Sequence, residues 1–298
     1  MISARSHELV SLLPRFLHLQ PFGWKGSPDL LESGLPLAAL LLLRSLVLET
    51  DPGEMLSRQE MESQVFNPYS TLHPILDHLP SLLEKGYLSH SGSRYLVTSS
   101  GRRLIERIEQ AEQDYVATLT PLPLAELTRL AALLEAIAHC LWQAREPAVK
   151  AHQARCHRLA ITTAAPLVRL NAAVLALWMA RDDAHIAAWQ AEGLSGPHLD
   201  LLTRLWTGEA HSLPELTSAL QHTQRPVNIF QGVTALREAG YVLGEGEHIA
   251  LTASGQRVRT RIEEETDRIY FTSWPPLTPE DLNWLYISFK KLCETLST

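Results

Sequence analysis

The sequence predicts a mainly helical protein with two small β-hairpins, and three observations carry that prediction. Apolar residues recur at helical spacing over long stretches. Two glycine-centred turns each separate short runs of strand-forming residues. The whole arrangement occurs twice: EKGYL at 84–88 is answered by EAGYV at 238–242, and VTSSGRRL at 97–104 by LTASGQRV at 251–258, both at an offset of 154. A chain of 298 residues has the length of two ordinary domains, and the repeat fills that length.

The register is long. An offset of 154 also pairs Ile75 with Ile229, Leu79 with Val233, Leu82 with Leu236 and Gly86 with Gly240. One residue more aligns Leu122, Glu126, Leu127 and Leu130 with Leu277, Asp281, Leu282 and Leu285, each set following a proline-containing turn.

Taken in order, GLPLAALLLLRSL at 34–46 and GLSGPHLDLLTRL at 193–205 open each copy as a helix. The first copy then carries an extra stretch, Glu49 to Glu54, whose Asp51-Pro52-Gly53 suits a turn. Ser57 with Glu60, and Ser212 with Glu215, stand in S-x-x-E spacing, a capping box that satisfies orphan amides at a helix start. The next helix ends near Lys85 at Gly86, the residue type that adopts the left-handed conformation after a helix. Tyr87-Leu88 and Tyr95-Leu96-Val97 flank Ser91-Gly92-Ser93 as a hairpin, and Tyr241 to Leu243 and Ile249 to Leu251 flank Gly244-Glu245-Gly246 in the same way. A long helix follows each hairpin, with Leu104, Ile105 and Ile108 at helical spacing in one and Val258, Ile262 and Ile269 in the other.

Helix, helix, helix, wing is a winged helix-turn-helix. The predicted fold is therefore mainly α with small β-hairpin wings: two winged helix-turn-helix modules related by an internal repeat and joined by long helices. The modules are 1–143 and 144–298, the second including the linking helices 144–190.

The ordered string of a glycine-terminated helix, Tyr, a short hairpin, Leu/Val-Thr-x-x-Gly, a long helix, a proline turn and a Leu-x-x-x-(Glu/Asp)-Leu helix resembles MarR-type winged-helix regulators. It covers most of the chain, twice. The resemblance implies a single-chain pseudo-dimer, with a recognition helix from each module in a major groove and each wing reaching the adjacent minor groove. It places the first set of DNA contacts at Tyr69, Ser70, Thr71 and His73, with Arg94 in the wing and Arg102 after it. The second set falls at Gln224, Arg225, Asn228 and Gln231. It also implies a small aromatic effector bound near the central junction, where Trp178, His185 and Trp189 lie on one long helix.

Charge works against DNA. The chain holds 26 Lys and Arg against 33 Asp and Glu, a net of −7, where phosphate backbones favour a basic excess. Residues 30–143 carry −6 and residues 191–298 carry −5, while 144–190 carry +3. The second wing tip, Glu245 and Glu247, would repel a phosphate strand. The arginines after each wing read equally well as solvated helix faces paired with neighbouring glutamates.

Enzyme motifs are absent: there is no P-loop, G-x-G-x-x-G, G-x-S-x-G or H-E-x-x-H, so no catalysis and no cofactor are expected. His152 and Cys156 stand i, i+4 and are the only weak metal candidates; isolated His and Cys in an Ala-rich helix are more often packing residues, and no metal is expected. Three cysteines and an amino terminus without a continuous apolar run point to the cytoplasm, and no stretch suits a bilayer.

Two functions remain. One is an effector-responsive transcriptional regulator binding double-stranded DNA through two unlike winged helices. The other is a winged-helix protein that has lost DNA affinity and binds a protein partner or a small molecule.

Overall fold

The computed structural model describes residues 4–19, 26–62, 68–159 and 161–297. In chain order the elements are α1 (Ala4–His18), α2 (Pro28–Glu32), α3 (Leu37–Glu49), β1 (Met55–Ser57), α4 (Arg58–Glu60), a 3-10 helix at Pro74–His78, α5 (Leu79–Glu84), β2 (Leu88–Ser91) and β3 (Arg94–Val97). There follow α6 (Ser99–Ala117), α7 (Leu124–Gln143), α8 (Ala151–Arg158), α9 (Pro166–Ala191), α10 (Gly196–Trp206), α11 (Leu213–Leu220) and α12 (Pro226–Glu238). The last elements are β4 (Val242–Glu245), β5 (His248–Leu251), α13 (Ala253–Thr272) and α14 (Pro279–Leu296). This is the expected fold class, mainly helical with small antiparallel wings.

The chain forms two compact units, and each draws on separate stretches of sequence. One comprises Met1–Pro36, Ser99–Ala184 and Arg268–Thr298, the other Leu37–Thr98 and His185–Asp267. The division falls inside α9 and inside α13.

The first unit is a helix assembly. α1 lays Leu9, Val10, Leu13 and Phe16 against α14, where the Phe16 and Phe289 rings stand 5.3 Å apart, and α7 packs on α14 as well. Two helix ends here are satisfied by side chains distant in sequence. Lys150 donates its ammonium to the carbonyls of Leu141, Trp142 and Ala144 at 2.8, 2.7 and 2.5 Å, which puts a cation on the orphan carbonyls ending α7. Asp183, buried on α9, accepts from the amides of His152 and Gln153 at 2.9 and 3.0 Å and so caps α8, whose own Lys150 offers no side-chain cap.

The second unit holds both hairpins. Around the second, Leu201, Leu202 and Leu205 of α10, Leu216 and Leu220 of α11, and Ile229, Val233 and Leu236 of α12 close one buried cluster with Val242, Ile249 and Val258. Gly232 eases this approach: a Cβ there would come within 2.6 Å of Leu201 Cδ1, and that side chain would have to shift to admit it.

Equivalent hydrogen bonds recur 154 residues apart. Tyr87 N donates to Leu82 O at 3.0 Å, and Tyr241 N to Leu236 O at 2.9 Å. The Thr98 hydroxyl donates to Gly86 O at 2.8 Å, and that of Thr252 to Gly240 O at 2.7 Å. Gly86 and Gly240 stand at φ +71° and +74°, the left-handed conformation expected after a helix.

The first module departs from the expectation in two places. Its wing has a third strand, because β1 pairs antiparallel with β3 on the edge opposite β2. The helix expected before Gly86 is broken into a 3-10 helix and the six-residue α5, with Pro74 and Pro80 each lacking the amide a continuous ladder needs. The two capping boxes also differ. Ser57 and Glu60 bond reciprocally, whereas Glu215 accepts from the amide of His211, one residue before the Ser212 cap.

Candidate nucleic-acid interface

The second module presents a helix-turn-helix in α11 and α12. Ser212 caps α11 by accepting from Glu215 N at 3.3 Å. The turn closes through Thr223 N and Gln224 N, both donating to Leu220 O, at 2.9 and 2.8 Å. Gln224 is buried and donates its amide to Pro197 O at 3.2 Å, tying the turn to the start of α10. Arg225 stands at the amino-terminal boundary of α12 with an exposed side chain, and Pro226 begins the helix where a missing amide costs nothing.

The buried side of α12 is Ile229, Gly232, Val233 and Leu236. Its outer side carries Val227, Phe230, Gln231 and Thr234, at i, i+3, i+4 and i+7 and therefore on one face. Val227 is 57% exposed and Phe230 59%. Beside the helix, the β4–β5 wing carries an exposed tip of Glu245, Gly246 and Glu247, and Glu245 pairs with Arg237 of α12 at 3.1 Å.

The expected contacts of the second module thus separate. Arg225 and Gln231 are exposed, Asn228 is half-buried and Gln224 faces inward as a structural residue. Sequence reasoning passed over Val227 and Phe230, since apolar residues in a helix are ordinarily assigned to the core; the signal was an apolar pair lying outside the i, i+3, i+4, i+7 stripe of Ile229, Val233 and Leu236.

The first module is arranged differently. Tyr69, Ser70 and Thr71 lie in an irregular segment ahead of the 3-10 helix rather than on a helix. That segment is bound to the turn of the second module. Thr223 O accepts from Thr71 N, Leu72 N and the Ser70 hydroxyl at 2.8, 2.9 and 2.7 Å, and Arg225 N approaches Thr71 Oγ1 at 3.4 Å. Gly196 opens the way, since a Cβ there would meet Pro68 O at 2.1 Å. His73 is half-buried just before the 3-10 helix, and burial pushes its imidazole below the ordinary value.

Two arginines of the first module are already engaged. Arg94 donates to Met55 O at 2.6 Å and pairs with Glu60 at 3.3 Å, while Arg58 pairs with Glu62 and Asp77. Arg102 is half-buried on α6, in the other unit. Two of the arginines after the second wing pair within their own unit, Arg259 with Glu263 at 2.6 Å and Arg261 with Glu192 at 2.7 Å.

The residues expected to line an effector pocket belong to different units. Trp178 belongs to the first unit, and His185 and Trp189 to the second. Trp189 is buried among Ala188, Leu199 and Ile262 with the Tyr69 ring 6.1 Å away, and His185 Nδ1 meets Thr266 Oγ1 at 3.0 Å. Cavities of about 750 and 450 Å³ open instead in the first unit. The larger is lined by Arg5, Phe271, Trp274, Leu277 and Leu282, the smaller by Leu119, Leu122, Leu127 and Pro166.

His152 bridges two carboxylates, Asp183 at 2.9 Å and Asp182 at 3.4 Å. Among the described residues no group of three His, Cys, Asp or Glu side chains could hold a metal ion, and no helix is long and apolar enough to cross a membrane.

No curated protein and no solved structure matches the chain significantly. Residues 154–298 match the model of a helix-turn-helix family. The matched stretch contains α10 to α14 and the second wing.

Proposed function

We propose that this chain is a cytoplasmic, effector-responsive transcriptional regulator that binds double-stranded DNA chiefly through its second winged helix. The observation that carries the reading is the exposed outer face of α12 within a stretch matching a helix-turn-helix family. In such domains the second helix enters the major groove and its amino-terminal residues meet base edges. Arg225, at that end, is the phosphate anchor, and Gln231 has the donor and acceptor pair that suits adenine.

The chain on this reading is two MarR-like modules, 1–143 and 144–298, written as a pseudo-dimer. The recurrence of the glycine caps and threonine bonds at an offset of 154 supports it. The modules have diverged, because the first lends its segment 68–72 to brace the turn of the second. An effector in one of the two cavities of the first unit would act by binding one of two conformations more tightly.

Selection from a random duplex pool, followed by fluorescence anisotropy over a salt series, tests the proposal. The expected result is a selected site bound with a negative salt slope. No binding at low ionic strength would overturn it.

The second reading is a protein-docking winged helix. The acidic wing tip at Glu245 and Glu247 favours it, and it predicts that the same anisotropy series stays flat.

A further inference from the structure

The outer face of α12 is built unlike a phosphate-gripping helix. It carries two exposed apolar side chains, Val227 and Phe230, and the described residues leave each more than half exposed. Thr234 spends its hydroxyl on Phe230 O at 3.0 Å, leaving its methyl as the unbonded part of the side chain. Between them stands Gln231, whose amide is the one exposed polar group on the stripe and bears both donor and acceptor.

We propose that this stripe reads thymine: Val227 and Phe230 contact the C5-methyl groups of successive thymines in the major groove, while Gln231 bonds to the adenine of a neighbouring pair. The inference rests on the DNA-binding reading above. Among the four bases only thymine projects a methyl into the major groove, and apolar side chains are what complement it. Size argues the same way. Val227 and Phe230 together offer on the order of 200 Å² of apolar area, against the roughly 1,000 Å² that a stable protein interface needs. That small patch at the amino-terminal end of a recognition helix matches two methyl groups far better than it matches a partner protein. Charge is consistent, since Arg225 supplies the phosphate contact from the helix start and leaves the apolar pair free to face the bases.

The test compares the full chain on a selected duplex with the same duplex carrying deoxyuridine in place of thymine in the half-site under α12. Deoxyuridine keeps every hydrogen-bonding edge and removes only the methyl. The native chain is expected to lose about fourfold in affinity per methyl contacted, the ratio for burying one methylene-sized group. Phe230→Ala is expected to bind the thymine duplex more weakly and to lose most of its sensitivity to deoxyuridine, whereas Phe230→Leu keeps part of it. Phe230 is exposed, and circular dichroism melting checks that both variants remain folded. Equal affinity of the native chain for the two duplexes would overturn the methyl contact while leaving DNA binding intact. Failure to select any duplex would remove the DNA-binding reading itself and turn the apolar stripe over to a protein partner.

Discussion

Ser70 donates its hydroxyl to the carbonyl of Thr223 at 2.7 Å, joining the segment ahead of the first short helix pair to the helix-turn-helix turn of the second module. The same carbonyl accepts the amides of Thr71 and Leu72, so the contact is made mostly by backbone. Removing one side chain will not release it.

Gly196→Ala is the more direct perturbation. Alanine suits the first turn of a helix, but its Cβ would lie 2.1 Å from Pro68 O, and backbone has to move to admit it. We expect a loss of about 1–3 kcal/mol, the usual range for overpacking, read as a lower urea midpoint at unchanged slope. Ser70→Ala should cost less than this, because both amide bonds survive.

Lys150→Met should destabilise the first unit by about 1.5–3 kcal/mol. The substitution keeps the apolar stem and removes a donor that serves three carbonyls at the end of α7. Thermal melting compared with an exposed lysine control, Lys290→Met, checks that the loss comes from the helix end and not from charge in general.

His152 makes stability depend on pH. Burial alone would lower its pKa, but the hydrogen bond to Asp183 and the charges of Asp182 and Asp183 outweigh burial, and the net shift is upward from the ordinary 6.5. A raised folded pKa means the contribution is complete below the unfolded value and is lost as pH rises through the folded one. Urea unfolding should therefore show His152→Gln to be more costly near pH 5.5 than near pH 8.5. An equal cost at both values would dissociate the imidazolium from the two carboxylates.

The acidic wing supplies a test of sign. If α12 meets DNA, Glu245→Gln with Glu247→Gln should raise affinity about threefold at low salt, an advantage that screening removes at high salt. The change would also release Arg237 from its pair. Affinity that falls or stays constant in this variant would place the wing away from phosphate.

Arg225→Ala should weaken binding by a similar factor on every duplex and reduce the salt slope by about one. A variant that altered which sequence is preferred would give Arg225 a base contact instead of a phosphate contact.

Much of this fold was legible in the sequence because its punctuation is local. Gly86 and Gly240 end helices in the left-handed conformation, Ser57 and Ser212 begin them, and each such residue acts through neighbours a few positions away. The outer face of α12 was partly legible: Arg225 and Gln231 were expected there, while Gln224 turned inward to bond Pro197, a partner 27 residues earlier. The first module misled for a similar reason. Ser70 and Thr71 follow the repeat's register, but they bond to Thr223 and Arg225, which no local pattern announces. The third strand escaped notice because three residues, Met55 to Ser57, carry too little alternation to mark a strand.

The pairing of α1 with α14 bears on how the protein is made. Leu9, Leu13 and Phe16 are covered by a helix that begins at Pro279, so on the ribosome they wait while the intervening chain is synthesised. At ordinary translation rates that interval is on the order of tens of seconds. The apolar face of α1 is therefore without α14 through that interval, and the contact between the two helices forms only after Pro279–Leu296 has been synthesised.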